Sequence, residues 1–215
     1  MANDVITWQP VPSEFFLQPT EKLAQALLGR LLVHEMPGAT TAVRIVEVEM
    51  YRGTLDKAAH SYSGRPSNRT QVMFGPPGHA YVYLIYGMYY CFNIVAGEAG
   101  VPDAILVRAG EPMIGEDLMI SRRGLGSRVV RDKERVRLAS GPGRLAQAMA
   151  ITKQHNGQGL WMPPLYIADL IQPSGDFTGG RIQCGARINI GYAQEAQHFP
   201  WRFWLEGHPS VSAKK

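Results

Sequence analysis

The sequence predicts one α+β domain built around a largely antiparallel β-sheet. Three observations lead to this fold class: apolar residues alternate with period two in short segments, helical segments are few, and turn residues separate the segments. With 215 residues, 45% of them hydrophobic and 19% charged, the chain is long and apolar enough for one core. It has no repeat, low-complexity tract or linker. We therefore expect residues 1–215 to form a single domain, with an N-terminal extension at 1–19 and a tail at 213–215.

The first half of the chain predicts one helix, two strand pairs and a long loop. Glycine or proline follows the helix and marks both strand connections. The loop is rich in Gly, Pro, Ser and Asn, and loops of this length inside compact domains are usually functional. The expected elements are a helix at Glu21–Leu28, strands at Arg30–Glu35 and Thr41–Met50, the loop at Tyr51–Gly78, and strands at His79–Tyr86 and Tyr89–Val95.

The second half predicts further strands and two short helices. A strand is expected at Asp103–Ala109, helices at Glu116–Arg123 and Arg144–Ile151, and a last strand at Trp201–Glu206. The last third alternates short strands and turns. Short connections between successive strands favour antiparallel pairing.

The compartment is predicted from the absence of two kinds of segment in the sequence. No apolar run approaches the roughly 18 residues of a membrane span, and the N-terminus lacks the basic and apolar regions of a signal peptide. We expect an intracellular protein, in the cytoplasm and nucleoid of a bacterium or in the nucleus of a eukaryote.

Cys91 and Cys184 form no CxxC pair, which favours two buried thiols over a disulfide or a metal site.

The positive charge is concentrated in one segment. Ser121–Leu145 carries eight basic and two acidic residues, so its charge is +6, whereas the rest of the chain is −2. Such a local patch fits a polyanion partner, although a solvated surface has the same composition. Arg128, Arg131 and Arg144 are the candidate contacts to the phosphates of such a partner.

Two glutamates are candidates for acid–base chemistry. Strict alternation along the strand that contains them places Val43, Ile45, Glu47 and Glu49 on one face. The two carboxylates then lie roughly 7 Å apart among apolar residues, where a general base is favoured. The alternative is an exposed polar face at the end of a strand.

Asp56 and His60 follow these glutamates in the long loop. Glu, Asp and His together suggest a metal site, but their spacing matches no compact ligand motif. We therefore expect no metal, and we interpret His60 as a hydrogen-bonding pocket residue or an ordinary loop histidine.

The segment Tyr81–Tyr90 is the most unusual in the chain, because half of its ten residues are tyrosines. Tyr86 and Met88 flank Gly87 at a tight connection, where a bulky side chain can wedge between base pairs. Tyr83 and Tyr51 are candidates to stack on an extruded base. A tyrosine-rich core strand has the same pattern.

Arg108 lies in a predicted strand, where Ala104 and Leu106 share its face. A guanidinium among apolar neighbours needs an anionic or carbonyl partner. It either stabilises the fold or holds a catalytic carboxylate or water.

Taken together, these motifs closely resemble the alkyladenine (3-methyladenine) DNA glycosylase family. The resemblance runs from about Leu23 to Ser212. The motifs that carry it occur in order: Glu47-Val-Glu-Met-Tyr51, Ala59-His-Ser61, Asn68-Arg69, Met73-Phe74, Pro77-Gly78, Tyr81-Val-Tyr-Leu-Ile-Tyr-Gly-Met-Tyr89, Cys91-Phe-Asn93, Val107-Arg-Ala-Gly-Glu-Pro112 and Ser140-Gly-Pro142. The sequence departs from the family in a shortened C-terminal third and an insert at about 97–101, which puts the breadth of substrates in doubt.

The resemblance implies a curved antiparallel sheet flanked by helices, a protruding β-hairpin that intercalates into DNA, and no cofactor or obligate protein partner. By motif position, Glu49 matches the general base that activates water, and Arg108 the arginine that positions it. Tyr51, His60 and Tyr83 match the residues that enclose the flipped base. Asn93 matches the pocket residue that discourages guanine. Tyr86 and Met88 match the residues that insert into the duplex.

The implied activity is hydrolysis of alkylated or deaminated purines from double-stranded DNA without strand cleavage. A cationic alkylpurine is already a good leaving group, so the enzyme needs a base for water, an aromatic cage and a way to extrude the nucleotide. The alternatives are a DNA-binding module of the same fold without catalysis, and a metal-dependent hydrolase.

Overall fold

The computed structural model describes residues 6–126, 130–171 and 180–212. Its ten strands in these ranges form one sheet in which every strand pair is antiparallel. The strands are β1 (Thr7–Pro10), β2 (Leu31–Met36), β3 (Ala39–Arg52), β4 (Ala80–Ile85), β5 (Tyr89–Ala96), β6 (Asp103–Ile114), β7 (Ala139–Ser140), β8 (Leu165–Ile171), β9 (Ile182–Gly185) and β10 (Arg202–Leu205).

Four α-helices occur in the same residues: α1 (Thr20–Leu27), α2 (Glu116–Arg122), α3 (Asp132–Arg135) and α4 (Pro142–Ala148). The predicted α+β class and antiparallel sheet are confirmed. The predicted elements are also present, with bounds that differ by a few residues. Single 3₁₀ turns lie at Ser13–Leu17, Gly53–Leu55, Gln71–Phe74, Lys153–His155 and Gln194–His198.

The two longest strands, β3 and β6, lie side by side at the centre of the sheet. The strand order is β1-β8-β2-β3-β6-β5-β4, while β10 pairs with both β3 and β9, and β7 pairs with β6. Because β10 joins β3 alongside its second half, at Val48 and its neighbours, residues from the C-terminal region lie next to Glu47 and Glu49.

One face of the central sheet carries the main core. Leu23, Ala24 and Leu27 of α1 have helical spacing and pack there with buried residues of α2 and α4. From the sheet, Ile105 and Val107 of β6 belong to the same cluster. The alternate residues of β6 consequently face the other side of the sheet.

The predicted face pattern of β3 is wrong in one respect. Val43 and Ile45 lie in the main core, but so do Val48 and Met50, and the register of β3 against β6 shifts on both sides of Glu47. A β-bulge therefore moves the alternation by one residue. Glu47 and Glu49 still share a face, but it is the face opposite to Val43 and Ile45.

Two smaller findings complete the fold. Cys91 is buried as expected, whereas Cys184 is exposed on β9, so the prediction of two buried thiols is wrong for that residue. Within the described ranges, no helix has the length and apolar composition needed to span a membrane.

Candidate active site

A cavity of about 260 Å³ lies on the sheet face opposite the main core. Alternate residues of β6, Ala104, Leu106 and Arg108, form part of its lining, as predicted from their shared face. The other walls come from the β4–β5 hairpin, from residues 51–60 and from residues 188–192. The structure thereby brings together five candidate residues that are distant in sequence: Tyr51, His60, Tyr83, Asn93 and Arg108.

Glu49 is fully buried next to this cavity, although it is not among the residues that line it. Its Oε2 accepts a hydrogen bond from the Tyr51 hydroxyl at 2.8 Å and lies 3.3 Å from Arg108 Nη1. Its Oε1 accepts the backbone N–H of Ile188 at 2.7 Å. All three partners line the cavity, so the carboxylate is fixed at the cavity edge. This burial excludes the alternative of an exposed polar face.

Glu47 is also fully buried, but its partners surround it more completely. Its Oε1 accepts from Arg108 Nε at 3.1 Å and from Arg202 Nε at 2.6 Å. The Ser212 hydroxyl donates to Oε1 at 2.9 Å, and the Ser212 backbone N–H donates to Oε2 at 2.7 Å. We call Glu47, Glu49 and Arg108 the cavity floor. In the floor, Arg108 bridges the two carboxylates, and its pKa is raised by Glu49 and then Glu47, although burial opposes this.

Sequence reasoning missed three of the groups that hold the floor: Ile188, Arg202 and Ser212. Each lies more than 130 residues from the glutamate that it contacts. Arg202 follows a tryptophan in a predicted strand. This position suggests a buried guanidinium only when an anionic partner is already known, so the sequence alone did not identify it. A backbone N–H such as that of Ile188 has no signature in the residue type.

Aromatic rings form one wall of the cavity. The rings of Tyr81 and Tyr83 lie 5.3 Å apart, and the His60 ring meets Tyr83 edge-on at 4.6 Å. Burial raises the pKa of both tyrosine hydroxyls, so they stay protonated and neutral. Burial, followed by the Glu49 charge, likewise raises the pKa of Tyr51, which also lines the cavity.

His60 faces this cavity as a neutral side chain. Its Nδ1 lies 2.9 Å from the Tyr81 hydroxyl, and its Nε2 lies 3.2 Å from Arg69 Nη2. Partial burial and the Arg69 charge lower the pKa of His60 to about 4. Asn93 lies deeper and donates its side-chain N–H to the Tyr81 carbonyl at 3.0 Å.

Asp56 does not join His60 in a ligand set. It is buried in a paired contact with Arg187, whose Nη2 lies 2.8 Å from Asp56 Oδ1. The Arg187 guanidinium also stacks over the Tyr51 ring at 4.6 Å. In the ranges that the structure describes, no three His, Cys, Asp or Glu side chains form a group able to hold a metal.

The connection between β4 and β5 projects two side chains into solvent. Tyr86 is 78% exposed and Met88 is 67% exposed. Tyr86 and Gly87 have φ values of 54° and 69°, and the Met88 N–H bonds to the Ile85 carbonyl at 3.2 Å, which makes a type I′ turn. We call residues 86–88 the hairpin tip. Because Tyr86 is exposed at this tip and also borders the cavity, it is not part of the core.

The arginines of the predicted basic segment fall into different structural environments. Arg122 donates to the Ala148 carbonyl at 2.8 Å, and Arg135 pairs with Glu116, so these charges serve the fold. Arg131 is exposed and pairs with Glu134. Arg128 lies outside the described residues.

A second cavity, of about 580 Å³, adjoins the first and shares Tyr89, Arg108 and Gly143 with it. Besides Arg108, three arginines line it, Arg123, Arg137 and Arg144, and we call these three residues the basic groove. Burial, and then the nearby Arg144 charge, lower the pKa of Arg123. Of the candidate phosphate contacts, Arg144 belongs to this groove, whereas Arg131 is not among its lining residues.

The chain was compared with known proteins. Residues 14–209 match the family model described as methylpurine-DNA glycosylase (MPG). Relatives from Bacillus thuringiensis (strain Al Hakam), Bacillus cereus (strain Q1) and Bacillus anthracis (strain CDC 684 / NRRL 3495) each bear the name "Putative 3-methyladenine DNA glycosylase". Each is 46% identical to this chain over 204 residues, which cover 94% of the chain and 98% of the relative.

Proposed function

The chain belongs to the methylpurine-DNA glycosylase family, whose members are N-glycosyl hydrolases of DNA repair, and we propose how its pocket performs that reaction. It is a 3-methyladenine DNA glycosylase, and it removes alkylated purines in base excision repair. The proposal extends this to the flipping of the nucleotide, to deaminated purines as further substrates, and to a role for each site residue.

One observation carries the proposal. Glu49 is a buried carboxylate at the edge of an aromatic cavity, and Arg108, Tyr51 and the Ile188 N–H fix its orientation. Each carboxylate oxygen has more than one lone pair, so a water molecule can still donate to Glu49. A fixed base next to an enclosed ring-sized space is the arrangement that general-base hydrolysis requires.

In the proposed reaction, the damaged purine rotates out of the duplex into the cavity between Tyr51, Tyr83 and His60. Water attacks C1′ of the sugar and transfers a proton to Glu49, while the bond to the purine breaks and its electron pair leaves with the base. A cationic alkylpurine departs as a neutral base, which makes it a good leaving group. Arg108 orients Glu49, and Asn93 disfavours guanine.

The exposed hairpin tip supports the extrusion step. A flipped nucleotide leaves a gap in the base stack, and unstacking costs a few kcal/mol. Tyr86 and Met88 are exposed and Tyr86 borders the cavity, so the hairpin tip is placed to fill that gap. The basic groove next to it supports binding of the DNA backbone.

We also propose the setting of the reaction. The substrate is double-stranded DNA with a damaged purine, the chain acts as one domain, and the reaction requires only water besides the substrate. The relatives named above are bacterial proteins, which supports a cytoplasmic location at the nucleoid.

The test is base release by the Glu49→Gln variant. Without a general base, single-turnover release of 7-methylguanine and hypoxanthine from duplex oligonucleotides should fall by about 10²- to 10⁴-fold, while lesion binding persists. The wild-type product should be an alkali-labile abasic site with no strand break.

Glu21→Gln is the matched control, because Glu21 is an exposed carboxylate on α1 and its replacement should not change the rate. Near-normal release by Glu49→Gln would remove Glu49 from the mechanism. Lesion binding without base release by the wild-type chain would instead support the DNA-binding module.

A further inference from the structure

Arg69 occupies an unexpected position behind the aromatic wall. Its guanidinium carbon lies 4.7 Å from the centre of the Tyr83 ring, and its Nη2 lies 3.2 Å from His60 Nε2. Tyr83 and His60 both line the cavity, whereas Arg69 contacts them from outside that lining. A permanent positive charge, itself exposed to solvent, therefore lies against two of the rings that line the cavity.

The contact with Arg69 fixes the state of His60. A guanidinium only donates hydrogen bonds, so His60 Nε2 must accept and its proton lies on Nδ1, next to the Tyr81 hydroxyl. Protonation of Nε2 would place two donors against each other and abolish this hydrogen bond. Arg69, and not His60, is consequently the cation of this wall.

The position of this charge matters because the substrates differ in charge. An alkylpurine methylated at N3 or N7 is cationic, whereas a deaminated purine such as hypoxanthine is neutral. A base stacked on the cavity side of Tyr83 would lie about 9 Å from the guanidinium. Arg69 is exposed, so solvent screens part of this repulsion, but like charges at this separation still disfavour each other.

We propose that Arg69 is a selectivity residue that weakens the binding of cationic alkylpurines relative to neutral damaged purines. The inference rests on the proposed function, because it assumes that the flipped base stacks on Tyr83. Arg69 acts through the charge behind the ring and does not touch the reacting atoms.

The test compares Arg69→Met, which removes the charge, with Arg69→Lys, which retains it. Single-turnover rates are measured over a range of enzyme concentrations on duplexes that carry 7-methylguanine or hypoxanthine, with spontaneous release subtracted. In Arg69→Met, the half-saturating concentration for 7-methylguanine should fall by about two- to fivefold, and that for hypoxanthine should not fall. Arg69→Lys should resemble the wild type on both lesions. If hypoxanthine is not released, its binding constant from gel shift replaces the kinetic value.

Arg65→Met is the control, since Arg65 is an exposed arginine in the same loop and its replacement should not discriminate between the lesions. An equal change on both lesions in Arg69→Met would identify Arg69 as a phosphate contact or a structural residue and overturn the proposal. A shift in Arg69→Lys as large as in Arg69→Met, or the same shift in Arg65→Met, would overturn it too. A wild-type chain that releases neither base would contradict the proposed function instead.

Discussion

The cavity floor and the hairpin tip are held in opposite ways. In the floor, two fully buried carboxylates share Arg108, and further donors from β3, β10 and the C-terminal region complete their contacts. At the tip, Tyr86 and Met88 extend into solvent from a two-residue turn. The floor is fixed by many mutually supporting contacts, and the tip by its backbone conformation alone.

This difference follows from what each region is proposed to do. A general base must hold its geometry to a fraction of an ångström before substrate arrives, so its partners must be present in the free protein. A side chain that enters a duplex finds its partners in the DNA, and internal contacts would have to be broken first. Changes in the floor should therefore alter catalysis or folding, and changes in the tip should alter DNA binding.

The floor itself contains a further contrast between two glutamates on the same strand face. Every partner of Glu49 lines the first cavity. Of the Glu47 partners Arg108, Arg202 and Ser212, Arg108 lines the first cavity and Ser212 lines the second. We infer that Glu49 takes part in the reaction, and that Glu47 holds Arg108 and the C-terminal region in place.

The largest effect on stability is expected for Glu47→Gln. Removal of one partner from a buried ionic network typically costs about 3–5 kcal/mol, because the remaining charges are no longer compensated. The free energy of unfolding should fall by about 3 kcal/mol, equivalent to roughly 10 °C in Tm for a chain of this size. Thermal and urea unfolding measure this.

Glu49→Gln is the matched comparison for this prediction. It should be destabilised much less than Glu47→Gln, because glutamine can still pair with Tyr51 and Ile188 and because Arg108 retains Glu47. Base release by Glu47→Gln, measured well below its Tm, should stay within about tenfold of the wild type. If the catalytic defect followed Glu47 instead, the roles assigned to the two carboxylates would be reversed.

The two regions also differ in how far the sequence predicts them. The hairpin tip depends on local signals, namely alternation on both sides of a tyrosine–glycine pair, and it forms where these signals indicate. The shared face of Glu47 and Glu49 was likewise predictable from their spacing. Their separation from Val43 and Ile45 was not, because the bulge depends on how β3 pairs with β6.

The contacts of the floor could not be predicted for a similar reason. Ser212 and Arg202 reach Glu47 across 165 and 155 residues, so their contribution depends on the whole sheet topology. The basic segment shows the same limit, since composition alone does not separate Arg122, which bonds to the fold, from Arg123, which lines the groove.

An intermediate effect is expected for Tyr86→Ser at the tip. Without an aromatic ring to stack in the duplex, lesion binding should weaken by about tenfold, since stacking contributes about 1–3 kcal/mol per base. The Tm should change by no more than about 2 °C, because the ring is exposed and packs against no core. A fluorescent ethenoadenine in the duplex reports flipping directly, since its emission changes when it leaves the stack.

Tyr86→Phe is the control for that measurement and should retain binding, because it keeps the ring. A core residue behaves differently, and its truncation typically costs about 3 kcal/mol or more. A large fall in Tm with normal flipping in Tyr86→Ser would therefore show that the tyrosine stabilises the fold. The hairpin tip would then not differ from the cavity floor in the way proposed.

The smallest effect per residue is expected in the basic groove. If Arg123, Arg137 and Arg144 neutralise phosphates, their joint replacement by Gln should flatten the salt dependence of binding to undamaged duplex. The slope should decrease by about 0.9 log unit per log unit of salt for each phosphate that is no longer neutralised.

Arg131→Gln provides the matched control, because Arg131 is exposed, pairs with Glu134, and is not among the residues that line the groove. Its slope should equal that of the wild type. A flattened slope in Arg131→Gln, together with an unchanged slope in the triple variant, would move the backbone contact from the groove to the helix α3 surface. The proposal that the basic groove binds the DNA backbone would then be wrong.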